Sequence, residues 1–158
     1  MIDTAGKKIL VIGFGNPARE DDGLGPKIAE KLESYKIEGV TVDIDYQLTV
    51  EEAAAVAEHD TVIFMDASVD GEEPFTFSKI TPQFKDSFSS HSITPEAVVG
   101  LAKELFNSEV EAYMLGIRGY SFSMFNEELT EKAGENMEKA YLFLVSLLSK
   151  DSIKPCSR

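Results

Sequence analysis

The chain is short of the residues on which several common site designs depend. It has one cysteine, Cys156, in a polar tail, and two histidines, His59 and His91, among 158 residues. A lone cysteine rules out a disulfide framework within the chain and suits a reducing cytoplasm. Positive charge is also scarce. Fifteen lysines and arginines stand against 28 aspartates and glutamates, a formal net charge of -13. Such a surface repels phosphate backbones and anionic membranes, so it argues against nucleic-acid and lipid binding and favours a basic partner or basic segment. No apolar run approaches the ~20 residues of a membrane-spanning helix. The short polar stretch Met1 to Lys8 leads straight into a strand-like segment, not into a signal-peptide core. Several catalytic signatures are missing too: a Gly-x-Ser-x-Gly elbow, a His-Glu-x-x-His helix and a cysteine near a histidine.

What remains is an ordinary globular composition, 43% hydrophobic and 27% charged, long enough for one domain with its own core. The expected domain is the whole chain, 1–158, with a core from about 8 to 148 and a polar tail over 149–158. Lys8-Ile9-Leu10-Val11-Ile12 is an apolar run that stops at glycine, the pattern of a buried strand. Ile28, Ala29 and Leu32 then take helical spacing, with Pro26 tolerable in the first turn. Val40, Val42, Ile44 and Tyr46 alternate with polar residues, predicting a strand with one buried face.

Thr49 and Glu52 form a capping box before an alanine-rich helix, and Thr61 to Met65 is a second buried strand that ends on Asp66. An edge strand is predicted over Phe75 to Ile80. Thr94-Pro95-Glu96 opens a helix with Val98, Leu101, Ala102 and Leu105 as its apolar stripe. A core strand follows over Ala112 to Ile117. Thr130 starts a last helix whose stripe is Met137, Ala140, Tyr141, Leu144 and Leu148. This alternation predicts an α/β fold, a mostly parallel sheet between two helix layers, with its site at the carboxyl ends of the strands.

The turn after the first strand reads Gly13-Phe14-Gly15-Asn16-Pro17-Ala18-Arg19-Glu20-Asp21-Asp22-Gly23-Leu24-Gly25. It is not a dinucleotide fingerprint, because position 18 is alanine and three acids would repel a pyrophosphate. No Gly-Lys-Ser/Thr follows, so it is not a phosphate-binding loop of that kind either. The acids suit a cation better, although Asp21 or Asp22 would also serve as a helix cap. Asp66 lies on the same rim, either as a ligand or as a turn-former. His91 sits in the polar loop Ser87 to Ser92, and histidine is the commonest side chain for metal ligation and for proton transfer near neutral pH. His59 ends a helix, where a dipole interaction accounts for it. Asp22, Asp66 and His91 together offer two oxygens and a nitrogen, a set suited to zinc, nickel or a similar ion with one position open. Spacing by itself leaves their convergence undecided.

Gly13-x-Gly15-Asn16-x-x-x-x-Asp21-Asp22-Gly23-x-Gly25 resembles the N-terminal signature of the nickel–iron hydrogenase maturation proteases. The resemblance continues at Met65-Asp66-Ala67, Ser89-Ser90-His91, Gly116-Ile117-Arg118-Gly119-Tyr120 and Glu128-Leu129-Thr130. It implies a phosphorylase/hydrolase-like three-layer sandwich and a cytoplasmic, monomeric endopeptidase. That enzyme would remove the C-terminal extension of the hydrogenase large-subunit precursor. The same resemblance implies metal ligands at Asp22, Asp66 and His91, with nickel arriving inside the substrate and zinc or cadmium able to take its place in vitro. Asp21 is the expected base for water attack, with a capping or supporting role as its alternative. Gly15, Asn16 and Gly119 are expected to shape the cleft. Three other readings stay open: a nickel-checking chaperone on the same scaffold, a peptidyl-tRNA hydrolase-like enzyme, and a flavodoxin-like small-molecule binder. The second would need a basic face that this chain lacks.

Overall fold

A computed structural model describes residues 6–83 and 93–149. His91, its loop from Ser87 to Ser92, and Cys156 lie outside the described residues. The chain alternates β1 (Ile9–Phe14), α1 (Leu24–Tyr35), β2 (Val40–Asp45), α2 (Glu52–Ala57), β3 (Thr61–Ser68), β4 (Phe75–Lys79), α3 (Pro95–Phe106), β5 (Glu111–Arg118) and α4 (Glu131–Leu148). One turn of 3-10 helix, Glu20–Gly23, precedes α1. The strands form one sheet in the order β2-β1-β3-β5-β4, parallel except for β4, which runs antiparallel along β5.

Alternation along the central strands divides the core in two. Ile9, Val11, Ile63, Met65, Leu115 and Ile117 face Leu24, Ile28 and Leu32 of α1 and Ala140, Leu144 and Leu148 of α4. Leu10, Ile12, Val62, Phe64 and Ala112 face Ala53 and Val56 of α2 and Val98, Val99 and Ala102 of α3. Strands covered on both faces carry unbroken apolar runs, which is why Ile9 to Ile12 and Val62 to Met65 are all buried. By the same alternation Asp66 continues the row of Val62 and Phe64, on the α2–α3 side.

The hydroxyls of Thr94 and Thr130 accept from Ala97 and Ala133 at the starts of α3 and α4. At Thr49 only half of the capping box forms: the Glu52 carboxylate accepts from the Thr49 amide at 2.6 Å, but the Thr49 hydroxyl donates to that carboxylate and the Glu52 amide donates to the Thr49 carbonyl. Three other readings need correction. Ile44 and Tyr46 are exposed, because β2 is a sheet edge and the core under α1 takes in Val40 and Val42 but stops short of them. Leu105 is exposed in the last turn of α3, while Val99 is buried in its stead. Asp66 does not end its strand, since β3 continues to Ser68 in register with Arg118 of β5. No helix among the described residues is long and apolar enough to cross a membrane.

Candidate active site

From β1 the chain crosses through α1 to β2 on one side, whereas β3 lies on the other side of β1. The connections leaving β1 and β3 therefore diverge, and a crevice opens between the carboxyl ends of those two strands. Ligands of open α/β sheets bind at such switch points. The first loop can enter the crevice closely because α1 packs hard onto the strands. A Cβ on Gly25 would lie 2.4 Å from the Phe14 carbonyl oxygen and 2.5 Å from that of Met65. Gly15 has φ +141°, a backbone that side-chain-bearing residues rarely adopt, and its amide donates to the Asp45 carbonyl at 3.1 Å. These glycines serve close helix–sheet packing and a tight turn rather than a phosphate.

The crevice brings together two of the three expected ligands. Asp22 lies on the 3-10 turn Glu20–Gly23, which packs against β3. Its Oδ2 accepts from the Asn16 amide at 2.9 Å and lies 3.7 Å from the Arg19 guanidinium. Asn16 is itself fixed by the Ala18 amide, which donates to its Oδ1 at 2.9 Å. Asp66 Oδ1 accepts from the Ala67 amide at 2.7 Å. Burial pushes the Asp66 carboxyl up to about 7, against the pull of the Ala67 amide, and the charge of Asp22 pushes the same way. Among the described residues, the other oxygen of each carboxylate makes no hydrogen bond. Two carboxylates close enough to repel one another, each with one oxygen anchored by a backbone amide and one unbonded among the described residues, suit a cation. His91, the third expected ligand, is not among the described residues, and no cluster of three potential ligands occurs within them.

Asp21 is placed differently from its neighbour. It is fully buried, and its carboxylate accepts from the amides of Tyr120 at 2.8 Å, Ser121 at 3.2 Å and Thr130 at 2.8 Å, and from the Thr130 hydroxyl at 2.7 Å. Three of the four donors converge on Oδ2 and one reaches Oδ1. Of the two roles expected of Asp21, base and support, this burial and bonding fit the supporting one. Glu20 does similar work from a left-handed backbone (φ 51°). It accepts from the Ser121 hydroxyl, the Ser123 amide and the Asn126 side chain. The Ser121 hydroxyl is the main reason its carboxyl is held below the usual range.

Two of the three acids are therefore spent on tying the segment after β5 to the first loop, and only Asp22 turns to the crevice. Gly119 lies in that segment against Asp21, where a Cβ would sit 2.8 Å from the Asp21 Cβ. Sequence reasoning missed the clamp because Thr130 reads there only as the start of the last helix. The run of three acids was the signal available. His59 bonds through Nδ1 to the Ala55 carbonyl at the end of α2, and it lines a cavity of about 600 Å³ at the opposite rim of the sheet with Lys7, Asp60 and Glu111.

The fold and the first-loop geometry can be set beside known proteins. A protein of Methanocaldococcus jannaschii named as a candidate hydrogenase maturation protease is 27% identical over 158 residues, covering 91% of this chain and 98% of its own. The crystal structure of the nickel–iron hydrogenase maturation protease HycI from Thermococcus kodakarensis superposes with a TM-score of 0.70 at 26% identity, over 91% of this chain and 94% of that one. In sequence and fold the chain resembles the hydrogenase maturation proteases. Hydrogenase maturating endopeptidase HybD from E. coli shares the fold at 21% identity, with a TM-score of 0.66 over 89% of this chain and 91% of its own. No family model matches the sequence. The maturation proteases are peptide hydrolases, and the mixed sheet with helices on both faces is their fold.

Proposed function

We propose that the chain is the endopeptidase that removes the C-terminal extension from the nickel-loaded large-subunit precursor of a nickel–iron hydrogenase, in the cytoplasm. The observation that carries this reading is the pair Asp22 and Asp66 at the switch point. Each has one oxygen fixed by a backbone amide and the other without a hydrogen bond among the described residues. The metal belongs to the substrate. Asp22, Asp66 and His91 would grip the precursor's nickel and so place the scissile peptide beside it. Nickel there polarises a carbonyl towards attack by water.

The chain's own part is alignment. Asn16 orients Asp22 through its amide, and Ala67 does the same for Asp66. Arg19, 3.7 Å from Asp22, balances that charge until a cation arrives. Asp21 holds the wall of the crevice through the segment after β5.

The test is to incubate the protein with cognate precursor, with and without nickel, and to follow the precursor's intact mass. Wild-type protein should shorten only the nickel-loaded form, and Asp66→Asn should abolish cleavage while keeping the folded state. Binding with no change of mass would make the chain a nickel-checking chaperone instead. Cleavage of nickel-free precursor at the same rate would refute the metal-grip mechanism.

A further inference from the structure

The segment after β5 carries the side chain that is hardest to explain from inside the molecule. Phe125 is 90% exposed, yet its backbone is left-handed, with φ 64°. Glycine or asparagine adopts that conformation more readily than an aromatic residue. A phenylalanine whose ring touches little of its own chain gains nothing there from packing. Met124 beside it is 51% exposed.

The backbone under these two residues is held firmly. The Ser123 amide donates to Glu20 at 2.9 Å, the Glu20 amide to the Asn126 carbonyl at 2.7 Å, and the Asn126 amide to the Ala18 carbonyl at 3.0 Å. Asn126 Nδ2 also reaches the Glu20 carboxylate at 3.0 Å. The same first loop carries Asp22, whose amide donates to the Arg19 carbonyl. Arg19 in turn forms an isolated bridge with Asn126. The apolar pair is thus fixed to the edge of the candidate site, not borne on a free tip. Tyr46 and Val69, which follow β2 and β3 on the same rim, are exposed as well.

We infer that Met124 and Phe125 are a preformed apolar anchor that seats the folded protein substrate beside the crevice, in an apolar hollow with basic surroundings. The inference rests on the proposed function and adds to it a docking contact away from the bond that is cut. Charge complementarity points to a basic border for the hollow: Glu127 and Glu128 follow the pair in exposed positions just beyond Asn126, and the whole chain is strongly acidic. An aromatic whose backbone is already fixed gives up only two side-chain torsions when it docks, a small loss for the area it buries.

The experiment compares wild type, Phe125→Ala and Phe125→Gly for binding and cleavage of the nickel-loaded precursor. Phe125→Ala should weaken binding and raise KM by about tenfold or more, with kcat at saturation within about twofold of wild type. Phe125→Gly should lose binding to the same degree while its Tm stays level or rises, because glycine suits the backbone. A purely structural residue would lower Tm and kcat instead. Wild-type cleavage with unchanged KM in both variants overturns the anchor and leaves the protease reading intact. Self-association of wild type that Phe125→Ala dissolves also overturns it, since the occupant would then be a second copy. Wild-type protein that neither binds nor cleaves the precursor refutes the proposed function and the anchor together.

Discussion

Asp21 separates a structural from a chemical account of the acidic run, because the two accounts respond oppositely to one substitution. Its carboxylate is buried and receives three amides and a hydroxyl. Replacing it with alanine strands those donors away from water. Removing one partner of a buried, charge-assisted network costs about 3–5 kcal/mol. Against a total stability of about 5–15 kcal/mol, that is a large share. For a chain of this size it lowers Tm by about 6–20 °C. Asp21→Asn keeps one acceptor oxygen and turns an amide group towards donors, so it should cost about 2 kcal/mol, still well resolved.

The assay is urea unfolding of all three proteins, joined to hydrogen exchange at the Tyr120, Ser121 and Thr130 amides. Exchange at these amides should rise in both variants, and cleavage should fall only as far as the wall of the crevice loosens. A general base behaves otherwise. Asp21→Asn would then leave the urea midpoint and amide protection untouched while cutting kcat by roughly 10²–10⁴. That pattern would falsify the clamp.

Other substitutions probe the remaining supports. Gly25→Ala sets a Cβ within 2.4–2.5 Å of two carbonyl oxygens and should push α1 off the sheet. A loss of about 1–3 kcal/mol in urea unfolding is expected, and no loss would mean that α1 shifts freely. Asn136, 4% exposed, donates to the Arg118 carbonyl and the Tyr120 hydroxyl. Asn136→Ala should cost about 1–3 kcal/mol, with Tyr120→Phe smaller, as read by thermal unfolding. Burial and the neighbouring Glu52 raise Asp45 to about 7. A raised carboxyl stabilises the fold fully below its unfolded value of 3.8, and that contribution is lost as pH rises towards 7. Asp45→Asn should therefore gain on wild type between pH 4 and pH 8, by about 1 kcal/mol once solvent screening is allowed for. A gap that stays constant with pH would show that Asp45 does not titrate there.

The layers of the fold were readable in the sequence because strands buried on both faces have no polar positions to spare. Ile9 to Ile12 and Val62 to Met65 could be nothing else, and the helix starts at Thr94 and Thr130 carried their own caps. What failed lay at edges. Ile44, Tyr46 and Leu105 belong to correct apolar periods but extend past the elements that cover their neighbours. Periodicity gives the direction of a side chain and says nothing of where the opposing surface stops.

The site was partly legible for a related reason. Residue type and strand order placed Asp22 and Asp66 on one rim, and the switch point between β1 and β3 brings them together. The division of labour among Glu20, Asp21 and Asp22 was not legible. It depends on a segment a hundred residues away that supplies the donors, and three adjacent acids look alike until those donors are in place. Once they are, the run resolves into two clamps and one carboxylate that faces the crevice. Glu20 and Asp21 hold the loop that bears Met124 and Phe125, so the candidate site and the proposed docking surface are built on the same turn. A change to Glu20 should accordingly act on substrate binding through Phe125 before it acts on the crevice, and Asp22→Asn should do the reverse. Comparing KM and kcat for these two variants on the full precursor distinguishes the two routes. Equal effects on both constants would show that the turn moves as one body.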